Sequence, residues 1–105
     1  MKEVDVHALK AMQDAKEDFQ LIDVREAYEY DIANLGGQLI PLGTVLDHAD
    51  DIARDKKVVV HCRSGKRSGL AITELEKTYG FDNLYNLKGG ILAYSDEIDP
   101  TLTKY

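Results

Sequence analysis

One cysteine, Cys62, stands in 105 residues. A lone thiol excludes an intramolecular disulfide and any multi-cysteine zinc or iron–sulfur site within the chain. It suits a reducing, cytoplasmic compartment. The histidines His7, His48 and His61 have no metal-ligand spacing, so no metal is expected. No apolar run approaches the ~20 residues that cross a bilayer. Met1 to Lys10 has no signal-peptide core, so neither a membrane nor secretion is expected. Repeats, low-complexity tracts and linkers are absent. Positive charge is in deficit: Lys+Arg number 13 and Asp+Glu 19, a formal net charge of −6. Such a surface is not expected to take nucleic acid as a partner.

What is present is a globular balance, 44% hydrophobic and 30% charged, which argues against disorder. The length suits one domain over residues 1–105. Surface scaling predicts roughly 6,000 Å² exposed, against roughly 17,000 Å² for the extended chain, enough burial for a single core.

Apolar and polar residues alternate in blocks. Val4-Asp5-Val6 reads as a short strand, with Asp5 capping a helix over 6–16 whose inner face holds Leu9 and Met12. Residues 19–24 read as a buried strand, 26–33 as a short helix and 35–37 as a turn. A strand over 38–40 ends at Pro41, and Thr44 is the expected cap of a helix to 53. Lys57 to His61 holds a continuous Val run, which suits a central, two-sided parallel strand. A helix over 67–79 places residues 71, 72, 75 and 79 inward and stops at Gly80. A strand over 84–87, a Gly89-Gly90 turn and a helix over 91–98 close the pattern. This alternation predicts an α/β fold, a five-stranded, mostly parallel sheet with helices on both faces.

Cys62 falls between the end of the Val strand and the start of a helix. Ligands of open α/β sheets bind beyond the carboxyl ends of strands. Residues 62–68 read Cys-Arg-Ser-Gly-Lys-Arg-Ser, three bases and no acid, while the remaining ten bases and nineteen acids sum to −9. A helix N-terminus and nearby cations depress a thiol pKa, here from Arg63, Lys66 and Arg67. Gly65 permits a positive φ that turns successive amides inward. Ser64 and Ser68 offer hydroxyl donors. The expected product is a thiolate nucleophile inside an anion-binding cradle.

These residues resemble the active-site loop of the rhodanese sulfurtransferase family, Cys-Arg-x-Gly-x-Arg. Leu21 to Glu26 is similar to that family's "DVR" element, Leu39 to Leu42 to its "IPL" element, and Leu87 to Ile91 to its double-glycine element. Two places depart from the pattern. Ile32 to Gly36 replaces a Gly-His-Ile stretch, and Tyr94 stands where a tryptophan is usual. The resemblance implies a rhodanese-like fold and sulfur transfer through a Cys62 persulfide, without a cofactor. The donor would be a small sulfur-bearing anion such as thiosulfate, and the acceptor cyanide or a thiol. The ending from Ile91 resembles that of rhodanese domains fused to adenylating enzymes, which implies a sulfur-carrier protein as a further partner.

Adjacent strand residues face opposite ways, so His61 is expected to support the loop rather than act as a base. Asp23 and Arg25 are expected to pin the neighbouring strand–helix turn. His7, His48 and the carboxylates at 47, 50, 51 and 55 read as solvated faces, and Tyr79, Tyr85 and Tyr94 as core residues with wet hydroxyls. Two other functions remain open. A Cys-x5-Arg phosphatase or arsenate reductase would need arginine at position 68, which is Ser68. A non-catalytic interaction module would not need Cys62.

Overall fold

The computed structural model describes all 105 residues. Five strands lie in the order β1 (Glu3–Val4), β5 (Leu84–Leu87), β4 (Val58–His61), β2 (Gln20–Asp23), β3 (Gln38–Leu39). Every pairing is parallel, so the sheet is wholly rather than mostly parallel. The central strand is the Val run. Val58, Val59 and Val60 are buried on both faces, as a parallel sheet covered by helices requires.

Alternation along β4 sorts the core into two halves. Val58, Val60 and Cys62 join a cluster with Ala71, Ile72 and Leu75 of helix α3 (Lys66–Tyr79) and with Val45. Val59 joins the opposite cluster, with Leu9 and Met12 of α1 (Val6–Asp14) and Tyr94 of α4 (Gly90–Glu97). Asp5 caps α1 by accepting from the Ala8 amide at 2.7 Å, which leaves β1 only two residues and puts Val6 in the helix. The exposed area is 5607 Å², close to the scaling expectation.

Two expectations are corrected. Residues Leu42–Asp51 form a 3-10 helix kinked at His48, entered at Pro41. Thr44 is not its cap, because its hydroxyl donates to the Pro41 carbonyl instead of accepting from an amide. The inward stripe of α3 is Ser68, Ala71, Ile72 and Leu75, one step earlier than the apolar count suggested, and Tyr79 is 45% exposed. Ser68 is polar, so a hydrophobic pattern passes over it. Its position inside the molecule is what brings its hydroxyl to the loop. Helix α2 (Ala27–Ile32) opens with a capping box between Glu26 and Glu29. No helix is long and apolar enough to cross a membrane.

Candidate active site

Because the strands are parallel, their carboxyl ends gather at one edge of the sheet, and Asp23 lies beside His61 in register. The loop after β4 begins there. Gly65 has φ +107°, the left-handed region, and opens α3. A residue with a Cβ is strained at this φ. The turn brings the Gly65 amide to 3.1 Å from Cys62 Sγ. Ser68, one turn into α3, places its hydroxyl oxygen 3.4 Å from the same sulfur. Burial pushes the Cys62 thiol pKa up. The Ser68 hydroxyl and the amides of Ser68, Gly65 and Ser64 outweigh it, and the net shift is downward.

Hydrogen-bond donors aimed at the sulfur lead this stabilisation, and the Arg67 charge also interacts with the sulfur. Ser64 contributes its amide, and its side chain is exposed. Arg67 is bound to Glu29 of α2 by two contacts, at 2.6 and 2.9 Å. That hydrogen-bonded guanidinium holds the Glu29 carboxyl below its usual range, and Glu29 in turn raises Arg67. Arg63 leans over the Tyr105 ring, 5.9 Å from its centroid, and Tyr105 meets Tyr28 edge-on. Lys66 is exposed and makes no ion pair. Cys62 itself is only 1% exposed. The three surface concavities, about 430, 310 and 300 Å³, are lined by other residues. Approach to the sulfur is consequently narrow.

A second set of contacts holds the loop from below. The Ile91 and Leu92 amides of α4 donate to the Cys62 and Arg63 carbonyls at 3.0 and 3.2 Å. They come that close because Gly90 has no side chain. A Cβ there would lie 2.5 Å from the Arg63 carbonyl oxygen and 2.7 Å from that of Cys62. The double glycine is thus a backbone contact with the loop as well as a turn.

Asp23 and Arg25 form a fully buried ion pair, Nη2 to Oδ2 2.7 Å. Arg25 also donates to the Ala33 carbonyl at 2.7 Å, which ties the end of β2 to the end of α2. His61 is buried too. Its Nδ1 is 3.3 Å from the Cys62 carbonyl oxygen, and its parity along β4 turns it to the face opposite the sulfur. Burial lowers its pKa. It has no contact through which to take a proton from Cys62.

The sequence reading missed two residues. Glu29 holds Arg67, and Asn86 on β5 accepts from Ser68 at 2.6 Å and donates to the Gly65 carbonyl at 3.0 Å. Glu29 was hidden among many acids. Asn86 carried a visible signal, a carboxamide amid the apolar residues of a strand that must be buried.

A family model described as "Rhodanese-like domain" matches residues 5–97. The chain is 37% identical, over its whole length, to "Rhodanese-like/PpiC domain-containing protein 12, chloroplastic" of Arabidopsis thaliana, and spans 38% of that protein. It is 33% identical over 92% of its length to "Probable adenylyltransferase/sulfurtransferase MoeZ" of Mycobacterium tuberculosis, spanning 25% of it. The crystal structure of a rhodanese-like domain protein from Staphylococcus aureus superposes with a TM-score of 0.83 at 27% identity, covering 100% of this chain and 99% of that one.

Proposed function

The chain belongs to the rhodanese-like domain family, and from that premise we propose that it is a sulfurtransferase whose Cys62 carries the transferred sulfur. One observation supports this above all: the Gly65 amide and the Ser68 hydroxyl converge on a single buried sulfur, and the Ser64 and Ser68 amides also help to lower its pKa. Such a cradle stabilises a sulfur anion without a base or a metal. A relative bearing the word sulfurtransferase in its name points the same way.

In the proposed reaction the Cys62 thiolate attacks the outer sulfur of thiosulfate. A new S–S bond forms at Sγ, the S–S bond of the donor breaks, and its electron pair leaves on sulfite. The persulfide anion so formed keeps one negative charge in the cradle. Cyanide or a thiol then takes the outer sulfur and returns the thiolate. The narrow approach suits a donor that enters by its terminal sulfur and an acceptor equally slender. A small carrier protein that presents its reactive group on an extended tail meets the same demand, and is the further acceptor proposed. A phosphate ester fits less well, because Arg67 is engaged by Glu29 and position 68 is a serine.

Intact mass after thiosulfate treatment tests the reading. We expect a gain of one sulfur atom, reversed by cyanide with release of thiocyanate and absent from Cys62→Ser. A wild-type protein that gains no mass from thiosulfate or any other sulfane donor overturns it.

A further inference from the structure

The Ser68 hydroxyl has one proton and two neighbours able to accept it. Its oxygen lies 2.6 Å from Asn86 Oδ1 and 3.4 Å from Cys62 Sγ. All three side chains are buried. Asn86 is fixed in orientation, because its Nδ2 donates to the Gly65 carbonyl at 3.0 Å. Turned over, the amide would set its oxygen against that carbonyl, two acceptors facing each other. Oδ1 only accepts, so across 2.6 Å Ser68 is the donor. The proton then points to Asn86, and a lone pair of the hydroxyl oxygen faces the sulfur. Ser68 in this state receives a hydrogen bond from S–H and gives none to a thiolate.

We propose that Asn86 is a positioning residue that holds the Ser68 proton away from Cys62 while the sulfur is a thiol, and yields it when the sulfur becomes an anion. The change is a rotation about the Ser68 Cβ–Oγ bond. One hydrogen bond breaks at Asn86, one forms at Sγ, and no proton changes owner. The inference builds on the reading of Cys62 as the reacting sulfur. The charged groups around this trio are otherwise engaged or remote. Arg67 of α3 is held by Glu29 of α2, and Arg63 and Lys66 of the loop are exposed. Lys2 and Glu3 beside β5 are exposed, while Asp23 and Arg25 pair with each other behind His61. None hydrogen-bonds to Ser68 Oγ or the Asn86 carboxamide.

The ionisation midpoint of Cys62, read from the rate of iodoacetamide alkylation against pH, tests this without any sulfur transfer. Failure of the sulfurtransferase reading would appear in the mass experiment instead, so the two are separable. Ser68→Ala should raise the midpoint, since the anion loses a donor. Asn86→Leu should lower it by roughly 0.5–1 pH unit, since Ser68 then donates to sulfur uncontested. In the Ser68→Ala background, Asn86→Leu should no longer lower it. An equal shift in both backgrounds would mean that Asn86 merely braces the Gly65 carbonyl, and overturns the proposal. Should Asn86→Leu fail to fold, the wild-type protein decides by NMR. The side-chain carbonyl carbon of Asn86 should titrate with the Cys62 midpoint and cease to do so in Ser68→Ala. A carbon signal that stays flat while Cys62 ionises overturns the proposal equally.

Discussion

His61 Nε2 is buried without a hydrogen-bond partner, 3.7 Å from the Asp23 carboxylate. Burial pulls its pKa down and the Asp23 charge pulls it up; burial prevails, because Asp23 is already committed to Arg25. The folded chain therefore keeps His61 neutral where the unfolded chain, titrating near 6.5, takes a proton. The unfolded state binds more protons below that pH, so acid favours it. Stability should be unaffected by His61 above about pH 6.5 and fall below it, by at most about 1.4 kcal/mol per pH unit. His61→Gln should flatten urea-midpoint curves between roughly pH 5 and 6.5. An unaltered slope in that window would show that the ring is charged in the fold. Glu29 acts in a separate window. Its carboxyl is held down by Arg67, so its contribution is complete above the usual carboxylate pKa of about 4.3. It is lost only as pH falls through the lower folded value.

Among the elements, α4 has the most direct hold on the loop, and Gly90 is where it does so. Gly90 and Gly80 both have positive φ, +59° and +70°, so alanine is strained at either by about 1–2 kcal/mol. Their surroundings differ. A Cβ at Gly80 meets nothing within 4 Å, whereas one at Gly90 collides with the backbone carbonyls of Cys62 and Arg63. Gly80→Ala should lower the melting temperature and leave Cys62 alkylation unchanged. Gly90→Ala should lower it further, because overpacking adds a cost of about 1–3 kcal/mol, and should also raise the alkylation midpoint as the cradle shifts. Equal effects on the thiol would mean that α4 does not brace the loop. The same comparison marks what the sequence could convey. The Val run, the alternation of elements and the loop around Cys62 were legible because burial and turn chemistry write themselves locally. The contact of Gly90 with the loop was not, since close backbone approach depends on the strand order β5 beside β4. Nor were the 3-10 helix, whose backbone bonds close three residues apart, as from the Thr44 amide to the Pro41 carbonyl, and the Glu29–Arg67 pair, which spans 38 residues.

Across the whole molecule, an excess of negative charge confronts the doubly negative donor we propose. The formal charge of −6 opposes approach at long range, so local cations must offset it. Arg67 is the least available of the three in the loop, since Glu29 neutralises it. Arg63 and Lys66 are exposed and free of ion pairs. They are the groups expected to draw thiosulfate in. Screening by water keeps each contribution near that of an exposed ion pair, about 0.2–1 kcal/mol, or roughly 1.5–5-fold. Arg63→Ala and Lys66→Ala should each lower kcat/KM for thiosulfate by that factor at low ionic strength. The difference from wild type should fade as salt shortens the Debye length to roughly 3 Å near 1 M. Arg67→Ala should behave differently, because it leaves the nearly buried Glu29 carboxylate without its partner. Its main effect should be lost stability, with a deficit in thiosulfate use that added salt does not erase. Steady-state rates and thermal melts of the three variants across a salt series separate these patterns. A salt-sensitive, stability-neutral Arg67→Ala would place the donor-steering charge on Arg67 after all.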